Sequence, residues 1–113
     1  MTQGRYPMKP DPALDAQISK AVRAVAHMPA ADYSSMIAAQ GLHAALGRNI
    51  ARMKYREDES GIARKRVALA FEMLTEPDIN RFPYDPVLTD NIRLLLPADR
   101  KKLAQDLQQV LRA

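Results

Sequence analysis

MIAAQGLHAALGRNIARM, residues 36–53, decides the fold class of this chain. Its apolar side chains recur at three- and four-residue steps, the spacing that lines one face of an α-helix: Met36, Ala39, Leu42, Leu46, Ile50 and Met53. Alanine and leucine dominate this stretch, and both lose little side-chain freedom in a helix. We therefore predict a long second helix, capped by Asp32 and running to about Arg56.

Helices are also predicted on both sides of this stretch. Asp-Pro pairs at 11–12 and 85–86 mark two starts, because the carboxylate accepts backbone N–H bonds and proline fits the first helical turn. The predicted helices are 11–28, 60–75, a short one from residue 86, and a last one after Pro97. We expect the first to bury one face, formed by Leu14, Ile18, Ala21, Val22 and Val25. The third has a wide apolar arc that includes Ile62, so we expect it to be central.

These elements predict an all-α fold, a compact bundle of about five helices that ends in an αα-hairpin. A length of 113 residues suits one domain. Residues 1–10 contain Gly4, Pro7 and Pro10 and are expected to form a flexible tail. A single helical domain then occupies residues 11–113.

Composition narrows the functional classes. The chain has no cysteine, which excludes disulfides, thiolate metal sites and a cysteine nucleophile. No run approaches the roughly 18 apolar residues of a membrane span, and the N-terminus lacks the apolar segment of a secretory signal. We expect a soluble, cytoplasmic protein. The formal net charge of +4 carries little weight, since Arg5 and Lys9 of the tail contribute to it.

No residues form a recognisable catalytic, cofactor-binding or metal-binding motif. His27 and His43 fall on separate predicted helices with no carboxylates at ligand spacing. Ser34 and Ser35 lack a basic partner and the strand-to-helix turn of a nucleophile. We therefore expect no cofactor, no metal and no enzymatic activity, and a protein that acts by binding.

A basic cluster spans the end of the second helix and the start of the third: Arg48, Arg52, Lys54, Arg56, Arg64, Lys65 and Arg66. Arg48, Arg52 and Arg56 are spaced to share one helix face, where they could follow a phosphate backbone, and Tyr55 could stack on a base. Residues 57–59, Glu-Asp-Glu, interrupt the cluster. For the cluster itself we favour a solvated helix end, whose cations are stabilised by the helix dipole, over a nucleic-acid site.

Two further features indicate contact surfaces. Ala38, Gly41 and Ala45 form a strip of small residues that another helix can approach closely, and we favour a helix of the same chain over a second copy or a partner protein. The proline-rich segment 76–86 carries Phe82 and Tyr84. Aromatic residues in such loops often anchor partners, but we favour the alternative that Phe82 fills the core while Tyr84 covers its edge.

The stretch DINRFPYDP, residues 78–86, resembles the segment that closes the small theta subunit of bacterial DNA polymerase III. That family consists of helical accessory subunits that bind the proofreading subunit, so the resemblance implies a partner-binding role. It covers those residues alone, and residues 87–113 have no counterpart in it.

We conclude that the sequence predicts a small non-catalytic helical protein-binding module: an adaptor, a regulator or an accessory subunit of a larger assembly. Its partner would be a protein, a second copy of the chain included. The alternative is a nucleic-acid-binding protein, or a subunit of a nucleic-acid-processing complex, that uses the basic cluster. The candidate partner-binding residues are Arg48, Arg52, Tyr55, Arg56, Arg64, Lys65, Phe82 and Tyr84.

Overall fold

The computed structural model describes residues 10–113, which contain five α-helices and no β-strand. The helices are α1 (Pro12–Ala26), α2 (Ala30–Lys54), α3 (Ile62–Thr75), α4 (Pro86–Arg93) and α5 (Pro97–Arg112). A single 3-10 turn, Ile79–Arg81, lies in the proline-rich segment between α3 and α4. The predicted all-α class is confirmed. The predicted tail lies outside the described residues apart from Pro10.

α1 and α4 begin at their Asp-Pro pairs, as predicted. Asp11 accepts hydrogen bonds from the backbone of Ala13 and Leu14, and Asp85 accepts them from Val87 and Leu88, over 3.0–3.2 Å. In both helices the proline occupies the first turn, where a missing N–H costs nothing.

The other two predicted starts are shifted. α2 begins at Ala30, directly after Pro29, so Asp32 lies inside its first turn and is not its cap. α3 begins two residues later than predicted, because Gly61 takes the left-handed conformation, with φ of 75°. Asp58 then caps α3 by accepting hydrogen bonds from the backbone of Ala63 and Arg64, at 2.9 Å each.

The core lies among α2, α3, α4 and α5. Its largest fully buried apolar side chains are Leu42, Leu46, Val67, Met73, Leu88, Ile92 and Leu107. α3 packs against α2, α4 and α5, as its wide apolar arc predicted. Ile62 was wrongly assigned to that arc: it is 65% exposed, because it is the first residue of α3 and lies at the end of the bundle.

The last two helices follow each other through the short connection 94–96. α4 packs mainly on α2, and α5 packs mainly on α3. This arrangement places α4 against the small-residue strip of α2. A Cβ added at Gly41 would lie 3.1 Å from Oδ1 of Asn91 in α4, so a helix of the same chain covers the strip there, as we favoured.

The prediction that α1 buries one face was wrong. No residue of Pro12–Ala26 is buried, and the helix pairs that pack extensively all lie within α2–α5. The Cα radius of gyration is 18.6 Å, against about 13 Å expected for a compact domain of this size. The four remaining helices close a core among themselves, and α1 extends away from it.

Candidate functional site

The first candidate surface is the apolar face of α1, formed by Leu14, Ile18, Ala21, Val22 and Val25 and hereafter called the α1 face. Its four large side chains are 39–61% exposed. They recur at steps of four, four and three residues, so they form one continuous stripe. Lys20 and Arg23 lie on the opposite side of the helix. The periodicity identified this face, but periodicity is the same whether a face is covered by its own chain or by a partner.

The second surface is the outward side of α2. Six residues that recur at helical spacing are all exposed and form what we call the α2 stripe: Tyr33, Ile37, Gln40, Ala44, Gly47 and Ala51. None of them is charged, which is unusual for a solvent-facing helix side. Tyr33 and Ile37 are 43% and 45% exposed, and a Cβ at Gly47 would contact nothing within 4 Å. Apolar periodicity does not reveal this stripe in the sequence, but its lack of charged residues is a signal that could have identified it.

The basic cluster does not form the single face that its spacing predicted. Arg48 and Arg52 lie exposed one turn apart on α2. α2 ends at Lys54, and Arg56 has a positive φ of 56°, which turns the chain out of the helix. Because the helical repeat stops before Arg56, that residue is not in line with the two arginines on α2. Tyr55 is 66% exposed, and the Lys54 ammonium lies 5.8 Å from the centre of its ring.

The basic residues of α3 are partly engaged within the chain. The Arg64 guanidinium donates a hydrogen bond to the Leu111 carbonyl, which joins the start of α3 to the end of α5. Arg66, outside the predicted site, forms an ion pair of 3.2 Å with Asp85. Lys65 is exposed. The positive charge available to an external anion is therefore smaller than the sequence count suggests.

Acidic residues share the site with the arginines. Arg56 and Arg64 line a shallow cavity of about 270 Å³ together with Asp58 and Glu59. Hydrogen bonds from the backbone N–H groups of Ala63 and Arg64 lower the pKa of Asp58, so its carboxylate stays charged at neutral pH. A phosphate backbone entering this cavity would meet negative charge as well as positive.

The two predicted aromatic residues of the proline-rich segment have different surroundings. Phe82 is half-buried and packs against the core, which matches the alternative that it fills the core. Tyr84 is 63% exposed, and its hydroxyl donates a hydrogen bond of 2.8 Å to Asp90 on α4. That hydrogen bond raises the pKa of Tyr84 above its ordinary value. The described contacts do not bring Phe82 and Tyr84 together with Arg48 or Arg52.

Other features of the described residues suggest no chemistry. No group of three or more His, Asp or Glu side chains in residues 10–113 is placed to hold a metal ion. A groove of about 480 Å³ lies between α3 and α5, but the Arg100 guanidinium on its wall is used to bond the carbonyls that end α3. Within residues 10–113, no helix combines the length and apolar composition that crossing a bilayer requires.

No protein-family model, no curated protein and no solved structure matches this chain significantly. The resemblance of residues 78–86 to the theta subunit thus has no match over the chain to support it.

Proposed function

We propose that this protein is a non-catalytic protein-binding module and that α1 is its recognition helix. The observation that carries the proposal is the α1 face: four large apolar side chains that are 39–61% exposed on a helix with no buried residue. Contiguous exposed apolar side chains mark interaction sites in soluble proteins far more often than scattered ones do.

The length of α1 supports this proposal. Isolated helices shorter than about 12–15 residues are marginal in water, and most helical stability in proteins comes from packing of an apolar face. α1 has 15 residues, at the upper end of this range, and packs on no other helix extensively. Its N-cap Asp11 contributes only about 1 kcal/mol. A partner that covers the α1 face would supply the missing packing energy.

The spacing of the face also matches a known mode of recognition. Amphipathic helices bind grooves through anchors one helical turn apart. Leu14, Ile18, Val22 and Val25 have that spacing. The charged side chains of Lys20 and Arg23, on the opposite side of α1, would remain in solvent.

Site-specific photo-crosslinking tests the proposal. A photoreactive amino acid replaces Ile18, and in a matched variant it replaces Ala16, which is exposed on the opposite side of α1. In producing cells, we expect a protein adduct of defined mass from position 18 and little from position 16. Equal yields, or no adduct from position 18, would refute protein binding by the α1 face.

The second candidate function is nucleic-acid binding through Arg48 and Arg52, which are exposed one turn apart on α2. Each phosphate contact makes the logarithm of affinity fall by about one unit per logarithmic unit of salt. Retardation of duplex or single-stranded DNA or RNA at low salt, lost in the double variant Arg48→Glu/Arg52→Glu, would support it. Absence of retardation at low salt excludes it.

A further inference from the structure

The geometry points to a second copy of this chain as the partner of α1, with the α1 face of each copy lying antiparallel on the α2 stripe of the other. The inference rests on the proposed function and names its partner. Each chain carries one α1 face and one α2 stripe, and both are exposed. A reciprocal exchange of α1 covers all four surfaces at once.

The two surfaces have complementary shapes. The α1 face presents large side chains, whereas half of the α2 stripe is small: Ala44, Gly47 and Ala51. Large side chains on one helix interdigitate well with small residues on another. Their lengths also agree: α1 is about 22 Å long, and the stripe from Tyr33 to Ala51 extends about 27 Å, at 1.5 Å per residue.

Charge favours the antiparallel orientation. Acidic residues lie at the start of both helices, and basic residues lie towards their ends. In α1 the acidic residues are Asp11 and Asp15 and the basic ones are Lys20 and Arg23; in α2 they are Asp32 and then Arg48 and Arg52. Antiparallel packing therefore places the acidic start of α1 beside the basic end of α2, and the reverse at the other end. Parallel packing would place like charges together, which is unfavourable. The antiparallel arrangement also opposes the two helix dipoles.

The connection between α1 and α2 disfavours packing of α1 on its own α2. His27 and Met28 donate their backbone N–H groups to carbonyls of α1, at 3.1 Å each, and Tyr33 donates its N–H to the carbonyl of Pro29, at 3.0 Å. The connection 27–29 is therefore tied to α1 and α2 by backbone hydrogen bonds. Proline also restricts the residue before it to extended conformations. Folding α1 back onto its own α2 would require another backbone conformation in 27–29, whereas exchange between copies keeps every one of these bonds.

Exchange also gives more contact than a single pair of helices. One helix-on-helix contact covers a strip about 22 Å long and 10 Å wide, which falls short of the about 800 Å² that each partner buries in a stable complex. Reciprocal exchange doubles the contact and adds the side chains that flank it. The resulting interface is two-fold symmetric and closed, as in most soluble homo-oligomers.

Sedimentation equilibrium of the full chain tests the inference, and we expect a dimer. Ile18→Glu on the α1 face and Ala44→Glu on the α2 stripe should each weaken the dimer by at least about tenfold, because each places a charge in an apolar contact. Ala16→Glu on the far side of α1 and Ala98→Glu on α5 are the controls, since both positions are exposed outside the two surfaces. A monomeric wild-type chain, or equal weakening by the controls, overturns the inference.

Cysteine cross-linking distinguishes exchange from closure within one chain. The sequence contains no cysteine, so a chain with Ile18→Cys mixed with a chain with Ala44→Cys can form a disulfide between these positions only across two copies. We expect a covalent dimer from this mixture in clear excess over a mixture of Ala16→Cys and Ala44→Cys. A double variant Ile18→Cys/Ala44→Cys that closes only within the monomer overturns the inference.

The two proposals fail in different ways. A photo-adduct from position 18 with the mass of a foreign protein, together with a monomeric wild-type chain, overturns the second copy as partner and leaves the protein-binding function standing. No adduct from position 18 together with a monomer overturns both. An adduct with twice the mass of the chain supports both.

Discussion

Ser35 of α2 and Asp99 of α5 are joined by a hydrogen bond of 2.6 Å between Ser35 Oγ and Asp99 Oδ2, across 64 positions of the sequence. Ser35 is fully buried, and its Oγ also accepts a hydrogen bond of 2.8 Å from the backbone N–H of Leu96. Leu96 is the N-cap residue of α5, and a leucine side chain cannot accept the hydrogen bonds of a helix start. Ser35 therefore provides a hydrogen-bonding partner from another helix.

Ser35→Ala should destabilise the fold by about 1–3 kcal/mol, because it leaves the Leu96 N–H and the Asp99 carboxylate without this partner in a partly buried site. Urea unfolding followed by circular dichroism measures the loss. Ser34→Ala is the matched control, since Ser34 is adjacent, only half-buried and outside this hydrogen-bond network. An equal loss in the two variants would show that Ser35 does not act through these hydrogen bonds.

The sequence predicted those features whose causes are local. The starts of α1 and α4 depend on Asp11 and Asp85, whose partners lie two or three residues away. The start of α5 at Pro97 was also predicted, but the hydrogen bonds of Ser35 to Leu96 and Asp99 arise only once the helices pack. The predicted alignment of Arg48, Arg52 and Arg56 failed because α2 ends at Lys54 and Arg56 itself is left-handed, with φ of 56°.

The apolar pattern of α1 predicted correctly that the helix is amphipathic. It predicted wrongly that the apolar face is buried by its own chain. Periodicity shows that a helix has an apolar face that is stable only when it is covered. What covers the face depends on which surfaces remain exposed after the core has formed. In the sequence, the sign of the α2 stripe is the absence of charged residues between Tyr33 and Gly47. Its exposure required the positions of α3, α4 and α5.

Arg100 of α5 should be a strong contributor to stability. Its guanidinium donates to the carbonyls of Met73, Leu74 and Glu76 at 2.8–3.1 Å, and so satisfies the carbonyls at the end of α3. Arg100→Ala should cost about 1.5–3 kcal/mol, the range for hydrogen bonds to charged groups. The loss of stability for Arg100→Lys should lie between zero and that for Arg100→Ala, because lysine keeps the positive charge but lacks the planar guanidinium.

Guanidinium chloride unfolding of these variants provides the measurement, with the exposed Lys102→Ala as control. A loss of charge alone would make Arg100→Ala and Lys102→Ala equal and Arg100→Lys neutral. That pattern would contradict a specific role of the guanidinium at the end of α3.

The two glycines inside α2 should respond differently to alanine. Gly47 has nothing within 4 Å of an added Cβ, so Gly47→Ala should stabilise α2 by up to about 1 kcal/mol through helix propensity. At Gly41 the added Cβ would lie 3.1 Å from Asn91 Oδ1, and the Asn91 amide donates to the Val87 carbonyl at 2.7 Å. Gly41→Ala should therefore gain less than Gly47→Ala, or destabilise the fold. Unfolding midpoints at a protein concentration where the chain is monomeric decide this, since Gly47 belongs to the α2 stripe, and a larger gain at Gly41 would contradict the close approach of α4.

Asp85 should make the stability of the fold depend on pH in the acidic range. The backbone N–H of Leu88 and the Arg66 guanidinium lower the pKa of Asp85 in the folded protein below its ordinary value. Because the folded-state pKa is the lower one, the contribution is fully present above the ordinary aspartate pKa of about 3.9 and is lost as pH falls through the folded-state pKa. The pKa of Asp58 is also lowered, so its contribution to stability is likewise lost as pH falls.

Asp85→Asn isolates this contribution, because asparagine keeps the N-cap acceptor and removes the charge that pairs with Arg66. Both side chains of that pair are partly exposed, so we expect Asp85→Asn to cost less than about 1 kcal/mol at pH 7. Asp85→Ala should cost about 1 kcal/mol or more, since it also removes the cap. Urea unfolding at pH 7 and pH 3 should show the difference between the wild-type protein and Asp85→Asn shrinking at pH 3, where the carboxylate is increasingly protonated. A difference that stays constant between the two pH values would mean that Asp85 stabilises α4 by hydrogen-bond geometry alone and that its charge contributes nothing.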